Sequence, residues 1–267
     1  MPTEMPTEMP TELPSVQAPT IEPTVIPTTM EPTTITPTTF PPIPIVVVPE
    51  DMVYDPETVE SIEETDLTCN GYNETELILK RLPMLKSIVI GDGCFGIVRV
   101  FELDGLNELE SVVIGNYSFK IGDDERTDGS GRIVNCPKLK SIQIGYYSFY
   151  DYHSFELNNL PSLQSIVLGD HSFNWAPSFS LTDLPQLQSV GLGDWAFEHV
   201  HSIVFENLPM LQSIQLASWA FDCDNGSDRK TKITEPYNYK NTLTMRNLPS
   251  LTQFKGGHNN LDRKSVV

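Results

Sequence analysis

The chain has 267 residues, with 36 Asp/Glu against 17 Lys/Arg and a net charge of −19. The excess is uneven: residues 1–66 hold 13 acidic and no basic side chains, so the other 201 residues carry 17 − 23 = −6. The absence of a basic stripe argues against nucleic acid and anionic membrane surfaces as partners. No apolar run approaches the roughly 18 residues a spanning helix needs, so no membrane insertion is expected.

Residues 1–49 open with three copies of MPTE and continue as a Pro/Thr-rich run; 14 of the 22 prolines fall in residues 1–57. Proline at this density denies the chain helix and sheet and favours extended polyproline II. A disordered linker, or an O-glycosylated stalk, is expected there. The opening MPTEMPTEMPTE lacks the basic end and apolar stretch of a secretion signal. Either the protein stays inside the cell or the chain is a piece of a longer product. Residues 50–76 form an acidic transition and N-terminal cap, with a short helix expected near Thr58–Asp66 over the first coil's open edge.

From residue 77 to residue 261 one frame recurs. Its anchors are Leu85, Leu109, Leu139, Leu163, Leu187 and Leu211, each followed by aliphatic residues three and five on and by a phenylalanine ten on (Phe95, Phe119, Phe149, Phe173, Phe197 and Phe221). Four of the five spacings are 24 residues and the other is 24 plus six. A fixed period of this length is the signature of a solenoid. Each coil has two strand-like halves, LKSIVIG (85–91) and VFELDGL (100–106) in the first, with inward apolar and outward polar residues alternating. Gly91, Gly115, Gly145, Gly169 and Gly193 close the first half, and Pro83, Pro161, Pro185, Pro209 and Pro249 mark the following corner. A mainly β solenoid of about seven 24-residue coils is predicted, its inward phenylalanines forming the core. One coil cannot bury its apolar set alone, so stability belongs to the array. The last coil, with Leu251, Phe254, Asn259 and Leu261, is a degraded repeat: a cap, or a point from which the natural chain continues. Residues 262–267 are a tail.

The four cysteines fit no metal spacing. Cys94 occupies the small slot filled elsewhere by Ser118, Ser148, Ser172, Ala196 and Ala220, and reads as a buried filler. Cys136 stands for a core leucine. Cys69 and Cys223 lie outside the frame at opposite ends of the stack, too far apart to join.

The frame LxxIxI of Leu85, Ile88 and Ile90, with Gly93 and Phe95 at the ninth and eleventh positions, resembles the leucine-rich repeat LxxLxLxxNxL. The fragments IGDGCF (90–95), IGNYSF, IGYYSF, LGDHSF and LGDWAF are similar to the I-G-x-x-A-F signature of its BspA-like group. The resemblance covers about residues 75–261. It implies a right-handed leucine-rich-repeat-type solenoid on a cell surface or outside the cell, associated with adhesion to proteins and other cells. It carries over no catalytic residue. The chain departs from the family at the ninth position, where Asn is replaced by Tyr117, Tyr147, His171, Trp195 and Trp219, and returns only as Asn259.

Outward positions of the first strand offer no acid pair for glycoside chemistry. The column Ser87, Ser111, Ser141, Ser165, Ser189 and Ser213 has no histidine in register to activate it, and reads as a hydroxyl ladder. No enzyme activity is expected. Binding is better supported. Between the repeat phenylalanine and the second strand lies a stretch that changes from coil to coil on a constant frame, placing Tyr150, Tyr152, His153, Trp175, His199 and His201 along one edge. Beside it runs the column of Tyr117, Tyr147, His171, Trp195 and Trp219. Aromatic rings are favoured in protein recognition, and they also serve as stacked filler between coils. A protein ligand is the expected partner, with a glycan as the alternative and an intracellular scaffold role as the competing setting. His199-Val-His201 has no third ligand. The insertions Lys120–Arg132 and Asp222–Lys240 miss the order of a calcium loop and read as solvated loops, so no metal or cofactor is expected. Of three glycosylation triplets, those at Asn73 and Asn225 fall in predicted loops. That at Asn116 places Ser118 in an inward slot and reads as accidental.

Overall fold

The computed structural model describes residues 60–64, 69, 74–122, 129–222, 241–258 and 260, all of them in the unit Pro41–Val267. The expectations for residues 1–49, 123–128 and 223–240, for Asn73, Asn225, Asn259 and Leu261, and for the tail lie outside them.

The first halves of the coils form strands β1 (Ser61–Glu64), β3 (Ser87–Ile90), β5 (Ser111–Ile114), β7 (Ser141–Ile144), β9 (Ser165–Leu168), β11 (Ser189–Leu192), β13 (Ser213–Leu216) and β15 (Gln253–Gly256). They stack in that order into one eight-stranded parallel sheet. The second halves form β2 (Glu76–Lys80), β4 (Val100–Asp104), β6 (Gly129–Val134), β8 (Tyr152–Asn158), β10 (Ser178–Thr182), β12 (Ser202–Glu206) and β14 (Thr242–Arg246). This is a mainly β, parallel solenoid: strands pair in parallel with a counterpart one coil away, residue for residue along the first sheet, as in Ser189↔Ser213 and Val190↔Ile214, and with one register shift at Gly129/Ser130 between β6 and β8. The register stacks the serine column expected from sequence.

The strand period of two makes the burial. In β3, β5, β7 and β11 half-buried and buried residues alternate, and the repeat phenylalanines are at most 2% exposed. Their rings stack along the axis, with centroids 4.5 Å apart for Phe119–Phe149 and 5.0 Å for Phe149–Phe173, both pairs within 5° of parallel.

The corner after each of β3, β5, β7, β9, β11 and β13 is set by two left-handed residues separated by one. φ is 58° at Tyr117 and 56° at Phe119, and the pair recurs through Trp219 (63°) and Phe221 (56°). Bulky side chains rarely adopt this region. The alternation turns successive N–H groups to opposite coils: Tyr117 donates forward to the Tyr146 carbonyl at 2.7 Å, while Phe119 donates back to that of Cys94 at 2.8 Å. The residue between them must be small. Ser118 fits that slot, and its hydroxyl donates to the Gly91 carbonyl at 2.7 Å and accepts from the Cys94 N–H at 3.2 Å.

Two expectations need correction. The segment near Thr58–Asp66 contains a strand, β1, rather than a helix. Ser61-Ile62 repeats the pair that opens most strands of this sheet, and β3 offers it an otherwise open parallel edge, extended by the Lys86 N–H donating to the Glu60 carbonyl at 2.7 Å. Cys94 fills its small slot but is also bonded to Cys69. The second halves divide into a four-stranded sheet, β2-β4-β6-β8, and a three-stranded sheet, β10-β12-β14.

Candidate functional site

The ninth-position column forms a single stack along the corner. Centroids are 5.8 Å apart for Tyr117–Tyr147, 4.4 Å for Tyr147–His171, 5.9 Å for His171–Trp195 and 4.7 Å for Trp195–Trp219, the last two pairs 2° from parallel. The left-handed backbone at each of these positions points the rings the same way, and the roughly 4.8 Å rise between parallel strands brings them into van der Waals contact. Tyr117, at one end, is 50% exposed, and the other four are partly exposed.

The variable stretch adds to this stack unevenly. Tyr150 lies against Tyr147 at 5.0 Å, and the Lys120 ammonium sits 5.1 Å from the Tyr147 ring centre and 5.9 Å from that of Tyr150, within cation–π range. Burial, and then the nearby Tyr147 and Glu198, push the Tyr150 phenol up to about 12. Trp175 and His199 make a separate stack at 4.0 Å. His153 is exposed on β8, and His201 is half-buried with Nδ1 3.3 Å from Asn241 Oδ1.

Tyr152 does not belong to the edge. It is fully buried, edge-on to Phe149 at 4.8 Å, and its hydroxyl donates to the Val98 carbonyl at 2.6 Å. The room comes from Gly129 one coil earlier, where a Cβ would meet the Tyr152 ring at 2.9 Å. One side chain that sequence reasoning passed over joins the edge: Tyr146, exposed and edge-on to both Tyr117 (5.2 Å) and Tyr147 (4.6 Å). Its signal was the IGYYSF variant of the repeat, a second aromatic beside the ninth position.

Carboxylates and amides one residue before the stack fix its backbone. Asp92, Asn116, Asp170 and Asp194 accept the N–H groups of Asn116, Tyr146, Asp194 and Ser218 respectively, at 2.5–2.9 Å. The Asn116 side chain also donates to Asp92 at 3.2 Å, so its amide is occupied by the coil below and the coil above. Buried Asn174 donates to the Trp195 carbonyl at 3.2 Å and to Glu198 at 2.8 Å, tying the variable stretch to the same frame. Burial lowers the His171 imidazole from its ordinary value, against the opposing pull of Glu198, Asp170 and Asp194.

The arrangement is a rigid strip of ring edges bordered by acids. Among the described residues, no group of three or more His, Cys, Asp or Glu side chains is placed to hold a metal ion, and no helix is long and apolar enough to cross a membrane. In comparisons with known proteins, no family model, no curated protein and no solved structure matches this chain.

Proposed function

We propose that the chain is a right-handed leucine-rich-repeat-type solenoid of about seven coils, of the BspA-like group, that acts as a non-enzymatic protein-recognition or adhesion module. The observation that carries this reading is the aromatic strip: five stacked rings in register, flanked by Tyr146, Tyr150 and the Trp175–His199 pair. A preorganised strip of aromatic residues loses little side-chain entropy on binding, which is why such residues dominate protein interfaces. The rings cover one another's faces and leave edges outward. That favours the side chains and backbone of a protein over sugar rings, which stack on open aromatic faces. The Cys69–Cys94 disulfide supports an oxidising compartment, and with it a cell-surface or extracellular setting. The Pro/Thr-rich residues 1–49 serve in this reading as a stalk that holds the module away from its anchor.

Protease shaving of intact source cells, with the released peptides read by mass spectrometry, tests the setting. Release of peptides from 80–255, with hexose on the Thr-rich segment, is expected. Protection until lysis would move the search to cytoplasmic partners.

A further inference from the structure

The aromatic stack is one rung short. The ninth position carries a ring at 117, 147, 171, 195 and 219, but in the coil of β3 it is Gly93. The backbone there is unchanged. Gly93 has φ 71°, in the same left-handed region as Tyr117 at 58°, and donates forward to the Asn116 carbonyl at 2.7 Å as Tyr117 does to that of Tyr146. Only the side chain is missing: Gly93 is exposed, and a Cβ on it would meet nothing within 4 Å.

With no rung before it, Tyr117 keeps one face uncovered. Its other face lies on Tyr147, 5.8 Å away and 18° from parallel, and Tyr146 stands edge-on to it at 5.2 Å. Among the described residues no further ring touches it, and it is the most exposed ring of the stack. The other rings present edges; this one presents a face.

Two features make that face a place for a cation. The first is Asp92, exposed, next to Gly93 in the chain and bonded to the residue before Tyr117. It accepts the backbone N–H of Asn116 at 2.5 Å and its side-chain amide at 3.2 Å. Both donors are neutral, and among the described residues no lysine or arginine pairs with Asp92, so its charge is unbalanced. The second feature is the same contact in occupied form one coil further on. Lys120 lies over the ring of the following coil, its ammonium 5.1 Å from the centre of Tyr147. The residue 24 positions before Lys120 is Gly96, and the ring that follows it is Tyr117. There the ring is present and the cation is not. Gly96 is exposed, and a Cβ on it would meet only the Lys120 carbonyl, at 3.6 Å, so the approach is open.

Shape and charge together choose the occupant. The place of a missing ring suits a flat group, which rests on an aromatic face at about 3.5–4 Å. A guanidinium is planar, stacks on aromatic faces and meets a carboxylate through two parallel N–H groups. An ammonium meets the same ring only as a point charge. A neutral ring, whether aromatic or sugar, would cover Tyr117 and leave Asp92 unbalanced, and an acid would be repelled.

We infer that the open rung between Gly93 and Tyr117 is a socket for an arginine side chain of a protein partner, its guanidinium on the free face of Tyr117 and its N–H groups on Asp92. This rests on the reading of the strip as a protein-recognition edge, and it names the chemistry that the partner brings to the strip's first rung.

The test uses the full chain and blocked pentapeptides Gly-Ser-Xaa-Ser-Gly, with arginine, lysine, citrulline or tryptophan at Xaa, followed by amide NMR. The arginine peptide should bind saturably at millimolar concentration and shift the amides of 92–97 and 116–118. Lysine should bind at least threefold more weakly, and neither the neutral isostere citrulline nor tryptophan should saturate. Asp92→Asn should weaken arginine binding at least fivefold and remove most of its dependence on salt. Gly96→Lys, which touches neither the ring nor the carboxylate but supplies the chain's own cation, should weaken it as much without lowering the melting temperature. Trp219→Asn, at the far end of the stack, should leave it unchanged. The inference is overturned if the arginine peptide does not saturate, if citrulline or tryptophan binds as well, or if Asp92→Asn and Gly96→Lys bind like the parent. Absent arginine binding, with cell binding still lost when Tyr147, Trp195 and Trp219 are replaced, would sink the socket and keep the strip; arginine binding with cell binding untouched by those replacements would do the reverse.

Discussion

Trp195 and Trp219 stack with centroids 4.7 Å apart and planes 2° from parallel, each on a backbone with φ above 60°. Two opposing terms meet in that pair. Stacking contributes about 0.5–1.5 kcal/mol per contact, while a left-handed conformation costs a bulky residue about 1–3 kcal/mol. Asn tolerates that conformation better than most residues. Trp195→Asn is therefore expected to change stability by no more than about 1–2 kcal/mol in urea unfolding, while removing protein binding. A loss of 4 kcal/mol or more would make the strip structural filler.

Tyr152 carries a different expectation, because its ring is core and its hydroxyl is the hydrogen-bond donor to a carbonyl 54 positions away in sequence. Tyr152→Phe leaves the Val98 carbonyl without that donor and should cost about 1–3 kcal/mol. Tyr152→Ala should cost about 3–5 kcal/mol through the cavity it opens. Binding at the strip should survive the first change at temperatures where the protein stays folded.

The Cys69–Cys94 bond closes a loop of 25 residues' separation at the N-terminal end of the stack. Chain entropy assigns such a loop about 3–4 kcal/mol. The Cys69→Ser/Cys94→Ser variant places at 94 the residue already accepted at 118, 148 and 172, so little packing is lost. Hydrogen exchange should rise in β2 and β3 and stay unchanged in β9 and β11, as expected where coils are stabilised by their neighbours. Uniform destabilisation would contradict local anchoring.

Burial lowers the imidazoles of His171 and His201. Both are neutral in either state above about pH 6.5, the ordinary histidine value. As pH falls below it the unfolded chain takes up protons first, so stability is lost progressively down to the depressed folded values. The melting temperature should fall between pH 7.5 and 5.5. The slope should flatten in His171→Asn/His201→Gln, and an equal slope in that variant would assign the effect to other groups.

Much of this architecture is legible in the sequence because a period of 24 residues repeats in register: anchors, phenylalanines, the serine column and the small slot all fall where the spacing puts them. What escapes the pattern depends on contacts between coils that no period encodes. Tyr152 alternates as an edge residue but enters the core because Gly129, 23 residues earlier, leaves room. Cys69 falls outside the frame, so nothing in the spacing pairs it with Cys94. The aromatic column is visible as residues, but its continuity as one stack follows from the left-handed backbone that orients the rings.

Binding of the labelled full-length chain to intact source cells, compared between two triple variants, tests the central claim most directly. One variant alters the strip (Tyr147→Asn, Trp195→Asn, Trp219→Asn) and the other the flat face of the first sheet (Gln164→Lys, Gln188→Lys, Gln212→Lys). The account predicts saturable binding that is lost on protease treatment of the cells, abolished by the strip variant and retained by the face variant. Binding that survives protease treatment, or that the face variant abolishes and the strip variant keeps, would contradict it.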